Sequence, residues 1–184
     1  MNTTNGKIAE QSKEKIVNAL LIIMKQYDYK EITITQIAQE AELSRKTFYR
    51  LFADKEAVLL HLMEHLYLEC ITYLNAFQPQ NYWDIVQCYF NFWESRKELL
   101  LLFKKNNLLS FVFEGAYNYS FKIFENIRSQ TMKDTYSFPL PYMLAYSVGG
   151  MHSMILRWVE NDMPIPSSVL IQELKNAFKA CDEI

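Results

Sequence analysis

The sequence is poor in the residues that break helices and turn chains, with 4 Gly and 5 Pro in 184 positions. An all-β sandwich uses more of both in its turns, so helices are favoured from the outset. Cysteine is scarce too. Cys70, Cys88 and Cys181 are odd in number and far apart. They form neither a disulfide framework nor a paired zinc spacing, and they suit a reducing compartment. No apolar run reaches the roughly 18 residues of a membrane span. Met1–Lys15 is polar and mixed in charge, without the apolar core of a secretion signal. Neither charge sign dominates: the formal net charge is −2, so bulk charge announces no nucleic-acid partner. Yet half the residues are hydrophobic and only 22% are charged, which argues for a folded core rather than disorder. The expectation is a cytoplasmic all-α chain with no membrane partner.

Apolar spacing and capping residues divide the chain. Residues 1–11 read as a disordered tail. Ile16, Ala19, Leu20, Ile23, Met24 and Tyr27 then share one helical face, with Ser12 as a cap. Thr33 and Gln36 have the spacing of a capping box, predicting a short helix from Ile34 to Ala41. Ser44 predicts another through Phe52. Asp54 opens a long helix bearing Val58, Leu59, Leu62, Leu66, Cys70, Ile71 and Leu74, ended by Pro79. Beyond Tyr82 aromatics crowd in, so helices there must be apolar on more than one face. These helices are predicted over 82–95, 97–105 and 108–132. After a break at Phe138–Pro141, two more should run to about Asn161 and from Ser167 to Ala180.

The segment from Thr33 to Lys55 carries the clearest chemistry. Ala38 and Ala41 are small enough for two helices to cross. Ile37, Leu43, Phe48, Leu51 and Phe52 can hold the second helix down, while Arg45, Lys46, Thr47, Tyr49 and Arg50 face outward. Between Ser44 and Lys55 four positive residues oppose one negative, a concentration of basic charge suited to a phosphate backbone.

Thr33, Ile37, Ala38, Ala41, Ser44, Thr47, Phe48, Tyr49, Phe52, Lys55 and Glu56 together resemble the N-terminal domain of TetR-type transcriptional regulators. The resemblance implies a three-helix helix-turn-helix head over 12–53. It also implies a helical regulatory and dimerisation body over 54–184, opening with a linker helix. The second helix of the motif would enter the major groove. Arg45, Lys46 and Arg50 would face base edges; Thr35, Thr47, Tyr49 and Lys55 would meet phosphates, with amides near Ser44 assisting. Two positions depart from the family pattern. Asp28 and Glu42 stand where glycine is usual, so both are expected to carry left-handed backbone at a cost of about 1 kcal/mol.

The same resemblance implies a homodimer on a palindromic double-stranded DNA operator. Repression is the more common role, with activation or effector-independent regulation as alternatives. The last two helices would form the dimer interface, through Tyr146, Gly149, Gly150, Ser153, Met154, Trp158, Leu170, Leu174 and Phe178. Gly149–Gly150 inside a helix suggests close approach of another helix. Trp83, Tyr89, Trp93, Phe103, Phe111, Tyr117, Phe121 and Tyr142 are candidates to line a pocket for a small hydrophobic or aromatic effector. Some family members have none.

One string points elsewhere. His61-Leu62-Met63-Glu64-His65 matches the H-x-x-E-H pattern of inverted zinc proteases, raising a zinc-dependent hydrolase using His61 and His65 as the reading from another class. No companion catalytic motif accompanies it. The chain is therefore expected to be no enzyme, with no catalytic residue, cofactor or assigned metal; these residues are expected to pack or face solvent near the head–body junction, and His152 to be a hydrogen-bonded core or interface residue. Cys70 and Cys88 should be small buried hydrophobes.

Overall fold

Helices begin in this chain where an acceptor meets the amides left open by the first turn. A computed structural model describes residues 2–114, 119 and 140–181. It contains α1 (Asn2–Met24), a 3-10 turn (Tyr29–Glu31), α2 (Ile34–Glu40), α3 (Arg45–Leu51), α4 (Lys55–Phe77), α5 (Tyr82–Glu94), α6 (Lys97–Lys105) and α7 (Phe111–Glu114). After a stretch outside the described residues come α8 (Leu140–Glu160) and α9 (Ser167–Cys181). Among the described residues there is no strand, and the chain is all-α. No described helix is long and apolar enough to cross a membrane.

The chain divides into two compact units, Met1–His65 and Leu66–Ile184. The division falls inside α4 rather than at its start. In the first unit α1 meets α2 and α3, and α2 meets α3. Ile16, Ala19, Leu20 and Met24 are buried there with Ile37, Ala38, Phe48, Val58 and Leu59. Tyr27, expected on the buried face of α1, is half exposed. The helix also starts earlier than its presumed cap. Ser12 lies inside it and donates its hydroxyl to the Ile8 carbonyl at 2.8 Å. Residues 2–11 are helical rather than a tail, because each added residue contributes one backbone bond once a helix is nucleated.

In the second unit α5 buries Val86, Cys88, Tyr89, Phe90, Phe92 and Trp93, which lie on more than one face, as aromatic density predicts. Its N-cap is Asn81, whose side chain accepts from the Asp84 amide. The start of α9 is held from afar. The Ser167 amide donates to Glu94 at 3.1 Å, and the Ser167 hydroxyl lies 2.6 Å from the same carboxylate. Lys104 ties α6 to the end of α8, bonding the Glu160 carbonyl and the Asp162 carboxylate at 2.8 Å each. Cys70 and Cys88 are buried, and burial pushes their thiols up to about 12 and about 11.

Two expectations for the body need correction. Trp158 is buried, packs against Phe90 and donates its indole N–H to the Ile165 carbonyl, so it belongs to the core and not to an interface. Tyr142 is 71% exposed, which removes it from any enclosed pocket. Gly149 and Gly150 are exposed, and a Cβ on either would meet nothing within 4 Å. No other helix of this chain approaches them among the described residues. Most of the predicted helix over 108–132, with Tyr117 and Phe121, lies outside the described residues. What is described of it begins with a turn at Leu109–Ser110 and then α7.

Candidate nucleic-acid interface

The first unit fixes α3 by local chemistry at both ends. Thr33 accepts from the Gln36 amide at 3.3 Å, and Gln36 accepts from the Thr33 amide at 2.8 Å, completing the capping box that starts α2. Two bonds close the far end of α2, from the Glu42 amide to Gln39 and from the Leu43 amide to Ala38. This pattern needs a left-handed residue at Glu42, whose φ is 56°. Asp28 behaves differently. It stays extended at φ −64°, and its carboxylate accepts from the Lys30 amide at 3.0 Å, so it carries none of the expected strain.

Ser44 caps α3. Its hydroxyl accepts from the Thr47 amide at 3.0 Å and lies 2.9 Å from the Thr47 hydroxyl. Phe48 is wholly buried on the inner face of α3, and Phe52 closes its C-terminal end. Arg45, Lys46, Tyr49 and Arg50 are all exposed, at positions that share the opposite face. The Arg45 guanidinium sits 6.0 Å from the Tyr49 ring centre, a cation–π spacing one helical turn apart. Thr35 is exposed in the first turn of α2. The geometry brings together a short exposed helix with cations on one face, an aromatic anchor on the other, and hydroxyls at its start.

Lys55 is the exception among the expected DNA contacts. Its ammonium donates to the carbonyls of Tyr29 (2.6 Å), Lys30 (3.1 Å) and Ile32 (2.9 Å). It also lies 4.5 Å from the Tyr29 ring centre. An ammonium has three donors, and all are in use. Lys55 therefore fastens the 3-10 turn to the first turn of α4 and is no phosphate contact. Its partial burial lowers its pKa, with Asp28 opposing that shift. Beneath it, burial pushes the Tyr29 phenol up to about 12, with Glu56 and Asp54 adding to the effect. The sequence did hold a clue: a cation in the first turn of a helix opposes the helix dipole, and its presence there signals an acceptor elsewhere.

With this geometry in place, residues 16–62 match the family described as bacterial regulatory proteins, tetR family. The first unit of the chain carries this tetR-family domain. The chain is a DNA-binding transcriptional regulator of the TetR type, and α2–α3 is its helix-turn-helix. The matched stretch covers the core of the first unit, while the second unit lies entirely outside it. No curated protein matches the chain. The family is one of regulators rather than enzymes. Glu64, the presumed base of the protease string, is exposed, and the carboxylate gathered with His61 and His65 is instead Glu10. Sequence reasoning missed Glu10 because it lay in a stretch taken for a tail.

Proposed function

We propose that this TetR-type protein is a repressor that binds a palindromic operator as a homodimer, in the cytoplasm, and is released by a small hydrophobic or aromatic effector. The observation that carries the DNA-reading assignment is the exposed cationic face of α3 set over a buried Phe48. Arg45, Lys46 and Arg50 read base edges, and arginine and lysine favour the acceptors of guanine. Thr35, Ser44, Thr47 and Tyr49 contact phosphates and fix the register.

Support for the dimer comes from α8. Tyr142 and Tyr146 are about 70% exposed and continue through Gly149, Gly150 and Ser153 along one helical face. A helix that exposes two tyrosines beside two glycines suits close approach of a second copy. On α9, Phe178 is 45% exposed and Leu170 and Leu174 are half buried, as is Met154 on α8. In a dimer, two copies of α3 about 34–36 Å apart would fall on one DNA face.

An effector would bind among the aromatics of α5, α6 and α7, with Tyr89, Trp93 and Phe103 buried and Trp83 and Phe111 partly so. Release requires a ligand that binds better to the conformation that does not fit DNA, with α4 changing the spacing of the heads.

Selection of duplexes from a random pool tests this reading. The expected product is an inverted repeat whose half-sites lie one helical turn apart. Arg45→Ala with Lys46→Ala should lower its affinity more than 100-fold while leaving the oligomeric state unchanged. With about 6–8 phosphates neutralised per dimer, log K should fall with log salt at a slope of about −5 to −7. A selected motif without symmetry, or binding that survives the double substitution, refutes the assignment.

A further inference from the structure

The histidines of α4 serve no role in reading DNA, and the structure supplies them with a third partner. His61 Nε2 and His65 Nε2 lie 3.7 Å and 3.5 Å from one oxygen of Glu10 on α1. The ligand atoms of all three residues lie within 4.8 Å of one another. The other Glu10 oxygen lies 3.5 Å from Lys13, which leaves the first directed at the imidazoles. These separations exceed the 2.7–3.2 Å typical of an N–H···O bond, roughly speaking. They approach the edge of a tetrahedron with bonds of about 2.0–2.1 Å, which is about 3.3 Å.

We propose that Glu10, His61 and His65 form a binding site for one divalent transition-metal ion of the zinc type. Two histidines one turn apart on a helix form a common half-site for zinc. A carboxylate from a second helix completes three protein ligands, with water in the fourth position. Imidazole nitrogens favour zinc and its neighbours over magnesium or calcium, which take oxygen donors. The His65 side chain is half exposed and Glu10 is 43% exposed, so an ion has a route in. The metal cross-links α1 to α4 within the first unit. The site also touches the recognition helix: the His61 ring lies 5.4 Å from Phe52, which lies 6.1 Å from Phe48. Occupancy therefore stabilises the base on which α3 rests.

Zinc titration of tag-free, metal-stripped full-length protein is the test, followed by calorimetry and thermal unfolding and requiring no DNA. The wild type should bind one equivalent per chain at micromolar affinity or tighter, and its Tm should rise with zinc. Glu10→Gln and His65→Ala, both at part-exposed positions, should each weaken binding at least tenfold and abolish the Tm rise, with unchanged circular dichroism. A wild type that takes up no zinc below 100 micromolar (a threshold of roughly 5.5 kcal/mol) overturns the proposal. So does an undiminished affinity in either variant, since the ion would then sit elsewhere. The readout is independent of operator binding, so failure of the repressor reading leaves it standing, and the converse holds as well.

Discussion

The two units differ in how several of their helices are closed. In the first, Thr33 pairs with Gln36, Ser44 with Thr47, and Asp54 with Ala57, each three residues along the chain. In the second, Glu94 holds Ser167 and Lys104 holds Glu160 and Asp162, across more than 50 residues. A local cap is written in consecutive residues and forms with its helix. A remote cap exists only after tertiary packing. These caps of the head rest on short-range chemistry, with Lys55 and Glu10 as longer reaches, while the body adds ties across the fold to its local cap at Asn81.

Phe48→Ala should produce the largest break in this comparison. Phe48 is fully buried, and truncation of such a residue costs about 3–5 kcal/mol. The expected calorimetric trace has a first transition lowered well below a second that stays in place. A single transition falling as one would dissolve the division into two units. Lys55→Met comes next. It removes three bonds from a charged donor to backbone carbonyls and should cost about 2–3 kcal/mol by urea unfolding. Because Lys55 meets no phosphate in this reading, the salt slope of DNA binding should not change. A slope reduced by one charge per chain would restore it to the interface.

The smallest effects compare the caps directly. Glu94→Ala leaves the buried Ser167 amide and hydroxyl without their carboxylate and should cost about 2 kcal/mol. Ser44→Ala removes a local cap and should cost about 1 kcal/mol. Equilibrium unfolding of the two variants checks the order. A reversal would mean that local caps carry the greater weight.

The same contrast governs what was legible in the sequence. The capping box at Thr33, the cap at Ser44, the buried Phe48 and the exposed Arg45 and Lys46 could be read because their determinants lie within a few residues. Periodicity names the residues that share a face, but not the element that will cover it. Trp158, read as interface, is covered by Phe90. Tyr142, read as pocket, is left open. Asp28 occupies a glycine position of the family, yet its carboxylate caps a 3-10 turn that no motif anticipates. Lys55 and Glu10 were misread for one reason: their partners sit more than 20 residues away along the chain.

The ammonium of Lys55 has a mechanical consequence. By clasping the carbonyls of Tyr29, Lys30 and Ile32, it bolts the strap between α1 and α2 to the opening turn of α4. A twist applied to that turn cannot dissipate in a slack joint. Parting that turn from the start of α2 would require all three bonds to break.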